Sequence, residues 1–309
     1  MPGIGVILNP FSKKFKKDPS RAKNMAFIVG DKASCKETED LADLGRVADD
    51  FKSRDIDILA ISGGDGTNHC TLTHFIRIYG EKPLPKICFL RGGTLNTVAS
   101  SIGIHGTPES ILSNLLVKYH EDVPFETRDL WLTKINDEYG FIFGMGVIYH
   151  FMEAYYSKGT PSPAIAIKTL VHSIASAFIN GPCARKMFER FDAEVTVNGK
   201  RWPFANYTAL YSGSINQLGL NFRVFYKVDQ VTDKFHAVGF SKPPRNILPY
   251  MPIMYLGKPT GSPNILEESA LDMTIKVEKP MAYTIDGDMK PAVDTFKIER
   301  GPKLTVLVK

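Results

Sequence analysis

The stretch Ser62-Gly63-Gly64-Asp65-Gly66-Thr67-Asn68 constrains this chain more than any other, because it follows the apolar run Ile56–Ile61 and opens a segment of helical spacing. A strand that ends in glycines and turns straight into a helix builds an anion site. Glycine lets phosphate oxygens approach main-chain N–H groups, and the helix N-terminus adds donors and the positive end of a dipole. Asp65 does not belong in a pure phosphate cradle, since a carboxylate repels phosphate unless it binds Mg²⁺, takes a proton or orients a donor. Two glycines after a strand are also an ordinary tight turn, but here a second unit follows. The strand Ile87–Leu90 leads into Arg91-Gly92-Gly93-Thr94-Leu95-Asn96-Thr97, which turns into another helix. Adjacent strands of a parallel sheet supply such pairs, both opening at the carboxyl edge. Neither loop has the Gly-Lys-Ser/Thr ending of the Walker pattern, and Gly3-Ile4-Gly5 precedes a strand, which excludes a dinucleotide fingerprint.

Residues 4 to about 126 alternate short apolar strands with helical stretches. The strands are expected at Ile4–Leu8, Met25–Val29, Ile56–Ile61 and Ile87–Leu90, the helices at Asp40–Phe51, Thr67–Tyr79 and Pro108–Tyr119. That rhythm predicts a three-layer α/β domain. From 127 onward the texture changes to alternating, aromatic-rich strands, including Asp129–Ile135, Tyr139–Met145, Ala193–Val197, Tyr207–Ser212, Lys234–Gly239, Met273–Val277 and Ala282–Ile285. This half predicts an antiparallel β domain interrupted by a helical insertion near 163–180.

The 309 residues are enough for two domains, and 43% hydrophobic with 23% charged residues is an ordinary globular balance. A net charge of +5 leans towards anionic surfaces but does not argue for nucleic acid. The cysteines at 35, 70, 88 and 183 have neither zinc-ligand spacing nor a disulfide framework, and point to a reducing cytoplasm. Lys13, Lys14, Lys16 and Lys17 follow the first apolar run, the reverse of a signal peptide. The uncharged candidate Thr169–Ala184 is shorter than the roughly 20 residues that span a bilayer.

Asn9-Pro10-Phe11-Ser12, Gly63-Gly64-Asp65-Gly66-Thr67, Gly93-Thr94-Leu95-Asn96 and Ile285-Asp286-Gly287-Asp288, in that order, resemble the diacylglycerol kinase and sphingosine kinase family of lipid kinases. The first Gly-Gly-Asp-Gly motif is shared with NAD kinases and phosphofructokinases; the other motifs narrow the resemblance. It implies an N-terminal α/β nucleotide domain over residues 1–126 and 295–309, and a C-terminal antiparallel β-sandwich over 127–294. It also implies ATP and Mg²⁺ as cofactors, held by Asn9, Ser12, Thr38, Ser62, Gly63, Gly64, Asp65, Gly66, Thr67, Asn68, Gly93, Thr94 and Asn96. Thr38 alone reads equally as a helix cap.

By the same resemblance Asp65, Asp286 and Asp288 are catalytic, with Asp288 as the base for the lipid hydroxyl, although Asp-Gly alone is a hairpin signal. A structural Mg²⁺ would be held by Asp233 and the carbonyls of Gln230 and Phe235, with Lys234 in place of the family's glycine. The segment Phe143–Val147 matches the lining of an acceptor pocket. Ile167, Leu170, Val171, Ile174 and Phe178 recur at helical spacing, either as core or as a face for an anionic membrane surface. The expected activity is transfer of the γ-phosphate of ATP to a lipid alcohol, in the cytoplasm and peripherally at the inner face of the membrane, without a nucleic-acid partner. A homodimer is admissible. Cys70 and Thr97 stand where many relatives have acids, and Asp288 replaces a Glu, so a catalytically impaired nucleotide- or lipid-binding protein is the alternative, with NAD kinase third.

Overall fold

The structure, a computed structural model, describes residues 3–31, 33–38, 40–158, 162–178, 181–241 and 248–308. It divides into two compact units, residues 1–130 with 303–309 and residues 131–302. The sequence reading placed the divisions at 127 and 295; they fall later because two strands, Thr127–Ile135 and Asp288–Leu307, run through them.

The first unit opens with β1 (Ile4–Leu8), α1 (Lys13–Lys17), α2 (Ser20–Val29), β2 (Ser34–Glu37) and α3 (Leu41–Ser53). It continues with β3 (Ile58–Ser62), α4 (Asp65–Tyr79), β4 (Lys86–Phe89), α5 (Thr97–Ser101) and α6 (Pro108–His120). β1 pairs in parallel with both β2 and β3, and β3 with β4. The end of the last strand joins β4 in parallel through Val306 and Ile87. Residues of β1 and β3 are buried on both faces, as a sheet covered by helices requires. Ile4, Val6, Ile58 and Ala60 pack with Met25, Val29, Leu112 and Leu115 from α2 and α6. On the opposite face α3 packs with α4, and the ring of Phe51 lies so close to Gly5 that a Cβ there would sit 2.5 Å from it.

One expected strand is a helix. Met25–Val29 forms the end of α2, with Met25 and Val29 buried one turn apart and Phe27 88% exposed. A five-residue apolar run does not distinguish strand from helix, and the i, i+4 burial decides it here. The strand in that part of the chain is Ser34–Glu37, an edge strand too polar to stand out.

The second unit contains β5 (Thr127–Ile135, from Trp131 onward), β6 (Glu138–Gly140), β7 (Ile142–Gly146) and the helices α7 (Val147–Tyr156), α8 (Pro163–Phe178) and α9 (Pro182–Met187). Then come β8 (Phe191–Val197), β9 (Lys200–Arg201), β10 (Asn206–Tyr207), β11 (Ala209–Gly213), β12 (Phe235–Phe240), α10 (Met251–Tyr255), β13 (Ile265–Ala270), β14 (Asp272–Ile285) and β15 (Asp288–Leu307). β14 serves two antiparallel sections: its first half pairs β8, its end pairs β7, and the ladder with β15 is irregular between Lys276 and Tyr283. Phe143, Leu210 and Phe235 from one section and Val195, Met273 and Ile298 from the other share one apolar core. The helical insertion is α8 and α9; positions 179 and 180 of the expected 163–180 range lie outside the described residues.

Candidate active site

Within the first unit the strand order β2-β1-β3-β4 reverses direction between β1 and β3. In an open parallel sheet the crevice beyond the carboxyl ends of two such strands is where ligands bind. Asn9 follows β1 and Ser62-Gly63-Gly64 ends β3, so the most constrained motif of the sequence falls at that switch point. The two loops are tied together: Asn9 N–H donates to the Ser62 carbonyl at 3.1 Å, and Asn9 Nδ2 donates to Thr67 Oγ1 at 2.8 Å.

The second glycine turn packs on the first backbone to backbone. A Cβ on Gly93 would lie 2.2 Å from the Cα of Gly64, and one on Gly92 would lie 2.9 Å from the nitrogen of Gly63. Only glycine permits this approach. Asn96, in the left-handed region at φ +50°, locks the second turn by accepting from Gly93 N–H at 2.9 Å and donating to its carbonyl at 3.1 Å. Gly64 caps α4 without a side-chain acceptor, leaving first-turn donors for a ligand. Gly66 and Thr67 lie in that turn and, like Thr94, are partly exposed.

The structure gives Asp65 a task that the sequence did not show. Its carboxylate accepts from the N–H groups of Thr97 at 2.9 Å and Val98 at 3.2 Å, so it clamps the start of α5. Burial pushes the Asp65 carboxyl above the ordinary carboxylate range, against the lowering effect of those N–H groups, the Thr97 hydroxyl and Arg91. Thr38 is half-buried beyond β2, with its N–H donating to the Leu8 carbonyl at 3.1 Å. It is not the helix cap; Asp40 is, accepting from Asp43 N–H at 2.7 Å.

Three buried polar atoms of the expected set have no hydrogen-bond partner: Ser12 Oγ, Ser62 Oγ and Asn68 Oδ1. Unsatisfied buried groups carry a cost that a ligand can remove. Beside them is a cationic group that sequence reasoning passed over. Lys14 Nζ donates to the Arg91 carbonyl at 2.8 Å, and its pKa is lowered by burial and by repulsion from Arg21 and Arg91. Arg21 is held by Glu109 at 2.6 Å and Arg91 by the Ile104 carbonyl. The available signal was position: Lys14 is in the first turn of the helix after the Asn9 loop, and Arg91 opens the second glycine motif. Hydroxyls, glycine N–H groups and half-buried cations form a donor set suited to a polyphosphate, while Asn68 Oδ1, which only accepts, suits the water shell of a cation such as Mg²⁺.

In the second unit Asp286 and Gly287 form a two-residue hairpin between β14 and β15, both at positive φ (+50° and +82°). The Asp286 carboxylate is buried and accepts from Phe141 N–H at 3.0 Å and Ile142 N–H at 2.8 Å. Asp288 is more open and pairs with Lys290 at 3.0 Å, which also pairs with Glu138 at 2.7 Å. Burial works against the Lys290 charge, but the two carboxylates raise its pKa on balance. Asp233 is occupied by a guanidinium: Arg300 lies 3.4 Å from its carboxylate and 4.6 Å from the centre of the Trp131 ring. Gln230 is exposed after the turn Tyr226–Asp229, and Phe235 is buried at the start of β12.

The first unit is an α/β unit with a paired glycine cradle, and it is this part of the chain that a family model matches. Residues 3–125 match the model of the diacylglycerol kinase catalytic domain, the family that the sequence motifs resemble. The fold is that of solved structures from Bacillus anthracis str. Sterne. One, provisionally named a diacylglycerol kinase, has a TM-score of 0.71 at 13% identity, covering 99% of this chain and 97% of that one. Another, described as a diacylglycerol kinase, has a TM-score of 0.67 at 14% identity with the same coverage. No curated protein matches.

Proposed function

We propose that this protein is an ATP-dependent lipid kinase that transfers the γ-phosphate to the hydroxyl of a lipid acceptor such as diacylglycerol, ceramide or a sphingoid base. The observation that carries the reading is the paired glycine cradle at the switch point of the first unit, with unpartnered Ser12, Ser62 and Asn68 and the Lys14–Arg91 pair beside it. Glycine N–H groups, the start of α4 and the hydroxyls of Ser12, Ser62 and Thr94 hold phosphate oxygens. Lys14 and Arg91 supply positive charge. Mg²⁺, when bound, neutralises charge developing on the transferred phosphoryl group. Asp65 keeps the second turn in place through α5, and Asp288, carried by the second unit, takes the proton of the attacking hydroxyl while Lys290 fixes its orientation.

Membrane contact is assigned to α8. Its buried side is Ala166, Thr169, Ser173 and Ser176, whereas Ile167 (53% exposed) and Val171 (59% exposed) face outward. Leu170 and Ile174 are half-buried, and the Phe178 side chain lies outside the described residues. Exposed Lys168 and Arg185 suit anionic headgroups. No helix among the described residues is long and apolar enough to cross a membrane.

A second reading, a nucleotide-binding protein without turnover, is favoured by the full engagement of Asp65 with backbone donors. The deciding experiment incubates the protein with labelled ATP, Mg²⁺, NAD and a panel of lipid alcohols in anionic vesicles, with products read by mass. A phosphorylated lipid supports the kinase. Saturable ATP binding without any lipid product supports the second reading, and phosphorylated NAD overturns both.

A further inference from the structure

The first unit has a cavity of about 320 Å³ at the edge of its sheet, lined by α6, the segment Gly103–His105, β4 and the end of β15. None of the residues that the lipid-kinase reading assigns lines it. Its floor is apolar and buried: Cys88, Ile104, Leu115 and Leu307. Its rim is polar, with exposed His105 and Asn114 and half-buried Lys118. Among the described residues no carboxylate lines the cavity and no acidic side chain is ion-paired with Lys118.

The walls are fixed before any ligand arrives. Thr107 and Ser110 form a reciprocal capping box at the start of α6, the Arg91 guanidinium holds the Ile104 carbonyl, and Val308 N–H donates to the Glu126 carbonyl at 2.9 Å. A preformed pocket binds at lower ordering cost. Its volume is at the small end of the range for small-molecule sites, roughly 300–1,000 Å³.

An apolar floor under a rim whose described residues include one lysine, one histidine and no acid selects a single-chain amphiphile with an anionic head. We propose that this cavity is a binding site for such a molecule, a fatty carboxylate or a monoalkyl phosphate, with the chain on the Ile104–Leu115 floor and the head at Lys118. None of the side chains that line it is among those the kinase reading uses, although Arg91, which that reading does use, holds the Ile104 carbonyl of its wall.

Decyl phosphate, decanoate and uncharged decanol serve as probes, each below its micelle concentration, with methyl NMR of Ile104, Ile111 and Leu115 as the readout. Both anions should shift these methyls saturably, and decanol should bind at least tenfold more weakly. Lys118→Glu should weaken the anions at least tenfold, and Asn114→Trp, at an exposed rim position, should block them. Unmoved pocket methyls, equal binding of decanol, or a Lys118→Glu titration identical to that of the unmodified protein would each overturn the site. The Lys118 result stands even if the tryptophan variant fails to fold, and none of these outcomes depends on whether the protein phosphorylates lipids.

Discussion

The loop after β3 and the hairpin between β14 and β15 both carry an aspartate beside glycine, and both direct that carboxylate to backbone donors. Asp65 holds the N–H groups of Thr97 and Val98; Asp286 holds those of Phe141 and Ile142. The difference lies in what remains open. At the first loop the groups without partners are hydroxyls and an amide oxygen, with Lys14 and Arg91 alongside; at the hairpin the open group is Asp288, paired with Lys290. In both loops the acid shapes backbone, and the groups that this shaping leaves open are the ones the proposed function uses.

Removing each clamp tests this. Asp286→Ala leaves two buried N–H groups without an acceptor and should cost about 3 kcal/mol or more, since each orphaned donor costs roughly 1–3 kcal/mol. Both tryptophans, Trp131 and Trp202, lie in the second unit, so urea unfolding followed by their fluorescence reports this loss directly. An unchanged midpoint would refute the clamp.

Acid should separate the two units next. His236 is fully buried beside the rings of Phe225 and Tyr226, and neither ring nitrogen has a hydrogen-bond partner. Burial, aided by Lys227, lowers its pKa to about 3. The unfolded chain therefore binds a proton below pH ~6.5 that the folded chain refuses, and the second unit should lose roughly 1.4 kcal/mol per pH unit as pH falls from about 6.5 towards 3. Asp65 has the opposite sign: its raised pKa makes the folded first unit the better proton acceptor, so this contribution is present at low pH and is lost as pH rises through the folded value. His236→Phe should flatten the acid dependence of the tryptophan signal. If the slope persists, other groups cause it.

Asp65→Asn should cost about 1–2 kcal/mol, because an amide offers one acceptor where the carboxylate offered two. If the kinase reading holds, turnover falls in this variant together with the melting temperature. A full loss of turnover at an unchanged melting temperature would instead make Asp65 a chemical group.

How much could be read in advance follows the same division. The paired glycine loops and parallel strands were legible because glycine requirements and apolar runs are local. The hairpin at Asp286 was legible from Asp-Gly alone. The engagement of Asp65 was not, since its partners lie thirty-two and thirty-three positions away and donate only through backbone. Lys14 was hidden in a run of lysines, and Met25–Val29 was too short for its period to show.

The smallest expected effect on stability belongs to α8, where helical spacing revealed an apolar stripe but not which side of the helix would be covered. The covered side is small and hydroxylic: Ala166, Thr169, Ser173 and Ser176, with Ser173 Oγ donating to the Thr169 carbonyl at 2.7 Å and Lys158 Nζ to Thr169 Oγ1 at 3.2 Å. Ile167 and Val171, more than half exposed, contribute little to packing, so replacing both by Ser should change unfolding free energy by no more than about 0.5 kcal/mol each, the usual range for surface positions. Ala166→Leu, in contrast, forces a large side chain into a covered position and should cost about 1–3 kcal/mol. Sedimentation with vesicles separates membrane contact from folding: the Ser pair should reduce binding to anionic vesicles while the melting temperature holds, and raised salt should weaken binding through Lys168 and Arg185. A double variant that binds vesicles as tightly as the unmodified protein would remove α8 as the membrane face and leave its exposed valine and isoleucine without a partner.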